Sequence, residues 1–145
     1  YSTCALASAG TAWCWGWNSY GQLGDGDVNG GSQYSPVVVS GSHRFAAVRA
    51  GGLYACGLDS SGAAWCWGSN QYGQLGNGDS SGSNQYSPVA VAGSFSYRGV
   101  DAGQNHACAL ATSGDLVCWG WGGYGALGNG DATGASKYIP GPVLG

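Results

Sequence analysis

The stretch CWGWNSYGQLGDGD, residues 14–27, decides how this chain is read, because it comes back twice. It returns as CWGSNQYGQLGNGD at 66–79 and as CWGWGGYGALGNGD at 118–131, each time 52 residues further on. Cys4, Cys56 and Cys108 keep the same spacing, and so do Pro36, Pro88 and Pro140, so no insertion or deletion interrupts the series. A fixed period near 50 residues, rich in short apolar runs, points to a propeller or a solenoid. Helical repeats are excluded locally, because Gly, Ser or Pro breaks nearly every stretch long enough for a helix.

Each unit offers four short strand candidates. FAAVRAG (45–51) and YRGVDAG (97–103) read as the first, YACGL (54–58) and HACAL (106–110) as the second. AAWCWG (63–68), with its counterparts TAWCWG and DLVCWG, reads as the third, and PVVV, PVAV and the weaker GPVLG as the fourth. Gly- and Ser-bearing turns between the second and third signal a hairpin. In the third strand Trp13, Trp15 and Trp17 alternate with Cys14 and Gly16, which sends tryptophans to one face and small residues to the other. Four antiparallel strands make a propeller blade, and the bulky face of one blade packs on the small face of the next. The expected fold is therefore all-β: three four-stranded antiparallel blades in units of about 1–41, 42–93 and 94–145. The first blade lacks one strand, for eleven strands in all. Trp15, Trp67 and Trp119 form its structural spine.

Composition narrows the partners. The chain holds 30 glycines, seven tryptophans and nine tyrosines, but only 8% charged residues, against roughly 25% in an average soluble domain. Aromatic richness with low net charge is the opposite of a disordered composition. Four basic residues and a net charge of −3 supply no cluster to neutralise a phosphate backbone, so nucleic acid is not an expected partner. No apolar run approaches the ~20 residues that span a bilayer as a helix, so membrane insertion by a helix is not expected either. The chain begins at Tyr1 and has no Met, which reads as a processed chain or a piece of a longer one.

The six cysteines form three pairs ten residues apart. A hairpin centred on residue 9 sets Cys4 opposite Cys14, and the same register pairs Cys56 with Cys66 and Cys108 with Cys118. Directly opposed residues can lie close enough for a disulfide; the alternative is six small thiols buried as hydrophobes. The spacing is not that of zinc ligands. Three disulfides imply an oxidising, extracellular or cell-surface setting.

GQNHACALATSGDLVCWGWGGYGALGNGD, followed by Pro140, resembles the repeat of the regulator of chromosome condensation (RCC1) family, and all three units carry the pattern. The resemblance implies a propeller of about seven blades in most members, commonly used as a binding scaffold. The guanine-nucleotide exchange and chromatin binding of the family's namesake find no support in so acidic and Lys-poor a chain. The paired cysteines are similar to those of bacterial secreted members, a group that includes a protein inhibitor of β-lactamase.

Three blades cannot close a ring of six or seven. Both ends would leave sheet or blade face exposed, so the expected partners are other copies of the chain, joined head to tail in a ring or filament, or further blades of a longer chain.

Several side chains qualify as ligand sites. DGDVNG (25–30) matches the start of a calcium loop, with Asp25, Asp27 and Asn29 as the oxygen set, although Pro36 stands where the closing Glu belongs. Apart from that calcium site no cofactor is expected. Trp17, Trp121, Tyr20, Tyr72 and Tyr124, near Asn and Gln, could together line one rim as a protein or sugar surface. His106 stands at the repeat's histidine position and reads as structural, while His43 beside Arg44 reads as solvated. No nucleophile–base–orienter set can be assembled from two histidines and few acids. The functional expectation is a non-catalytic extracellular module for protein–protein interaction or self-assembly. The alternatives are a carbohydrate-binding propeller and an inhibitor of a secreted enzyme.

Overall fold

The computed structural model describes all 145 residues as three antiparallel sheets joined in series. The first holds β1 (Ser2–Leu6), β2 (Ala12–Gly16) and β3 (Gln33–Val38). The second holds β4 (Phe45–Ala50), β5 (Tyr54–Asp59), β6 (Ala64–Gly68) and β7 (Gln85–Ala90). The third holds β8 (Tyr97–Ala102), β9 (His106–Ala111), β10 (Leu116–Gly120) and β11 (Lys137–Pro142). Within each sheet the strands lie in sequence order, and a single 3₁₀ turn, Gly123–Gly125, is the only helical element. These are three propeller blades of three, four and four strands, as the repeat predicts.

The central hairpins fix the register. Cys4 lies opposite Cys14, Cys56 opposite Cys66 and Cys108 opposite Cys118, and each pair is a disulfide across a Cα separation of 4.1 Å. No cysteine is left free.

Two boundaries differ from the sequence reading. The outer strands begin at Gln33, Gln85 and Lys137, ahead of their prolines. They tolerate Pro36, Pro88 and Pro140 because they are edge strands, where a lost N–H breaks no ladder bond. Trp17 does not continue the alternation of Trp13 and Trp15, because β2 ends at Gly16 with φ +106°. A side chain there would run into the Tyr1 carbonyl oxygen at 2.6 Å. Only glycine turns the chain so sharply, and Trp17 is thereby placed in the long loop that follows.

The core lies between blades. One cluster joins Ala12, Cys14, Leu23 and Val39 of the first blade to Phe45, Ala55 and Trp67 of the second. The other joins Tyr54, Cys56, Leu58, Cys66 and Leu75 to Tyr97, Ala107, Ala109, Val117 and Trp119. The disulfide face of each blade receives the tryptophan face of the next.

Candidate functional site

Each junction is built from the same parts, a repeat apart. Trp67 seats on the loop of the preceding blade and donates from Nε1 to the Gln22 carbonyl at 3.2 Å; Trp119 does so to Gln74 at 2.9 Å. The seat is Gly24 or Gly76, whose Cβ would stand 2.6 Å from the indole. Gly26 N–H donates to the Tyr86 carbonyl and Gly78 N–H to that of Tyr138, both at 2.8 Å. The hairpin glycines complete the clasp, the Gly10 carbonyl accepting from Phe45 N–H at 2.8 Å and Gly62 from Tyr97 at 2.7 Å.

The two end faces hold the same parts without counterparts. On the first blade Trp15 is only half-buried, whereas Trp67 and Trp119 are fully buried. Tyr34, the counterpart of Tyr86 and Tyr138, is 98% exposed. On the third blade nothing within 4 Å would meet a Cβ at Gly114 or Gly125, whereas their counterparts Gly62 and Gly73 press on the next blade, at the Tyr97 backbone and at Tyr138. Leu116 there is 52% exposed, while its counterparts Ala12 and Ala64 are buried.

The long loops after β2, β6 and β10 all emerge on one side. In the first two a buried asparagine locks the loop. Asn18 Oδ1 accepts from Leu23 N–H at 3.0 Å, and Asn70 Oδ1 from Leu75 N–H at 3.2 Å. The third loop has Gly122 at this place. Without the lock, Tyr124 adopts φ +58° and stands fully exposed.

The predicted calcium set lies in the first loop, and the structure assigns its oxygens to turn-making. Asp25 Oδ1 accepts from Asn18 Nδ2 and from Asp27 N–H, both at 3.1 Å. Asp27 accepts from the Asn29 N–H at 2.9 Å, the Asn29 amide at 3.1 Å and the Gly31 N–H at 3.3 Å. The other units repeat the construction, Asp79 accepting from Ser81 and Asp131 from Thr133. These bonds hold the three carboxyls below the usual aspartate range, the largest cause being the Asn29 N–H for Asp27, the Ser81 hydroxyl for Asp79 and the Thr133 hydroxyl for Asp131. A calcium ion would have to take these oxygens from the backbone.

The five rim aromatics fall into two groups on this side. Trp17 packs edge-on against Tyr20 at 5.4 Å. Trp121 packs edge-on against Tyr124 at 5.5 Å and also meets Tyr72 of the preceding blade at 6.5 Å. Between the groups lies a groove of about 320 Å³, walled by Trp17 and Tyr72. Its polar lining, Ser69, Gln71, Gln74, Gln104 and Asn105, was not singled out by the sequence reading. The available signal was the Trp–Ser–Trp series at 17, 69 and 121.

Departures from the repeat also explain three buried polar atoms without partners: Ser2 Oγ, Gln22 Nε2 and Tyr97 OH. Ser2 stands where Tyr54 reaches the His106 carbonyl of the next blade. Gln22 loses the hydroxyl that Ser69 offers Gln74, because Trp17 replaces it. Tyr97 stands where Phe45 needs no partner. The His106 ring packs on Gly103, a structural place. His43 is not solvated as expected: its ring lies 4.2 Å from that of Trp65, since the loop folds back over the tryptophan face of β6.

Comparison with known proteins places these features. The profile of the regulator of chromosome condensation (RCC1) repeat matches residues 9–59 and 61–110, and a second RCC1 repeat profile matches 45–74 and 97–126. The ultraviolet-B receptor UVR8 of Arabidopsis thaliana is 34% identical over 90% of this chain and 30% of its own length. The probable E3 ubiquitin-protein ligase HERC4 of Homo sapiens is 38% identical over 89% of the chain and 12% of its length. Human WBSCR16 superposes with a TM-score of 0.85 at 23% identity, over 97% of this chain and 35% of that one. Yeast RCC1 (Prp20), solved bound to Kap60, also gives 0.85, at 21% identity over 99% and 35%. The chain thus spans about a third or less of the proteins it matches. RCC1 repeats are typically non-catalytic binding or regulatory modules, and in HERC4 they form part of a larger ligase.

Proposed function

Since the chain belongs to the RCC1 repeat family, we propose that it is a non-catalytic, extracellular protein-interaction module that works by blade addition. Its partner is another blade of the same kind, supplied by a second copy of the chain or by further blades of a longer one. The observation that carries this reading is the complementarity of the two end faces. Trp15 and Tyr34 are the parts one blade presents to its predecessor; Gly114, Gly125 and Leu116 belong to the face that receives them. A head-to-tail contact closes into a ring or runs on as a filament according to its rotation. The three disulfides support an oxidising location, and no helix is long and apolar enough to cross a membrane. The scarcity of Lys and Arg argues against nucleic acid.

Light scattering after size exclusion, under non-reducing conditions, tests the reading. The expected result is a species of two copies or more that Leu116→Asp converts to monomer, because a charge would be buried in the new junction. A wild-type chain that stays monomeric at high concentration overturns assembly between copies.

A further inference from the structure

We propose that the groove between Trp17 and Tyr72 is a binding site for a neutral carbohydrate. The groove exists because of one departure from the repeat. Trp17 and Trp121 occupy the place that Ser69 holds in the middle blade, and Trp121 covers Tyr72. Ser69 covers nothing, and the space a third indole would fill is open.

Its lining selects the chemistry. No side chain among the ten residues around it is charged, which leaves phosphates, sulfates and acidic sugars without a side-chain counter-charge. Trp17 and Tyr72, both half-buried, present aromatic surface on which the C–H face of a pyranose stacks. The side chains of Gln71, Gln104 and Asn105 make no hydrogen bond inside the protein, so their amides are free for a ligand. Each amide offers two donors and one acceptor oxygen, the pattern that neighbouring hydroxyls match. Rigid aromatic walls with adaptable polar groups between them form a recognition surface at low entropic cost. The volume, about 320 Å³, lies at the lower end of small-molecule sites, which suits one or two sugar units rather than a long chain buried throughout.

The site is independent of blade addition, because neither Trp15 nor Leu116 lines it. The two readings therefore fail separately.

The test is a tryptophan-fluorescence titration with neutral gluco-, manno-, xylo- and N-acetylglucosamine oligosaccharides of up to about six units. The expected result is saturable binding of at least one series. Trp17→Ala and Gln104→Ala should each weaken it by roughly tenfold, the share of one stacked ring or one good hydrogen-bonding group. Ser69→Trp should abolish it by restoring the side chain that the flanking units carry. Tyr124→Ala, outside the groove, should leave it unchanged. Because Gln104 is exposed, its variant keeps the test valid if Ser69→Trp disturbs folding. No saturation by any series overturns the proposal. So does sugar binding that Trp17→Ala and Gln104→Ala both leave intact, or capture of an apolar peptide with no sugar bound.

Discussion

Trp67 in the middle blade and Trp15 in the first hold the same place in the repeat, yet one is fully buried and the other half-buried. The same contrast divides Leu58 from Leu110, and Ala64 from Leu116. The middle blade is covered on both faces, while each flanking blade is covered on one. A blade's own sheet is small, and its apolar surface leaves water only at a junction. The stability of this chain is therefore a property of neighbours, as in a one-dimensional repeat array, and what a residue contributes depends on which blade carries it.

The largest effect that can break this comparison is at the tryptophans. Trp67→Ala empties a fully buried seat and leaves the Gln22 carbonyl without its donor. The expected loss is about 3–5 kcal/mol in urea unfolding. Trp15→Ala, measured at concentrations where the chain is monomeric, should cost less than about 1 kcal/mol, the scale of a surface substitution. Equal losses would mean that the first blade's outer face is no different from an inner junction, and the comparison would fall.

The repeat itself was legible in the sequence to a high degree. The period, the eleven strands, the hairpin register and the cysteine pairs all follow from identical words at equal spacing. Strand periodicity and direct cross-strand opposition are local rules. What stayed hidden depends on contacts across a junction. That Trp17 leaves the strand at Gly16 is a matter of the neighbouring Tyr1 backbone. That His43 stacks on Trp65 is a matter of a loop folding back. The aromatic rim was visible as residues but not as a shape, because the groove is made by Ser69, the residue that fails to fill it.

A second contrast, between the loops, sharpens the first. Asn70 is fully buried and uses both ends of its amide, accepting from Leu75 N–H and donating to the Asp79 carbonyl at 3.1 Å. Asn70→Ala leaves the buried Leu75 N–H unpaired and removes the donor to the part-buried Asp79 carbonyl, at an expected cost of about 1–3 kcal/mol. Native-state hydrogen exchange should then show the amides of 70–79 opening as readily as those of 122–131 do in the wild type. The lock cannot be moved to the third loop by Gly122→Asn, since a side chain at Gly122 collides with the Ala135 carbonyl. That variant should gain no protection in the third loop; a gain would mean that the asparagine alone sets the loop.

The smallest predicted effect concerns a single acid that the flanks do not share. Asp59 ends β5, where the other blades have Ala7 and Ala111. Its carboxylate accepts from Ser61 N–H and Oγ, from Ala63 N–H at 3.0 Å and from Trp65 Nε1 at 3.0 Å. Partial burial pushes its pKa up, but the Ser61, Trp65 and Ala63 bonds outweigh it and the carboxyl lies below the usual range. A pKa lower in the folded state adds stability that is complete above the ordinary aspartate value of about 4 and is lost as pH falls through the lowered one. In a nuclear magnetic resonance titration the Ser61 and Ala63 amides and the Trp65 indole N–H should therefore shift together below about pH 4, while the equivalent amides of the first blade's hairpin stay still. Asp59→Asn keeps an acceptor oxygen but cannot titrate, so it should leave the hairpin formed and remove that step. If the step persisted in Asp59→Asn, the hairpin's acid sensitivity would come from its neighbours, and the middle blade would differ from its flanks by burial alone.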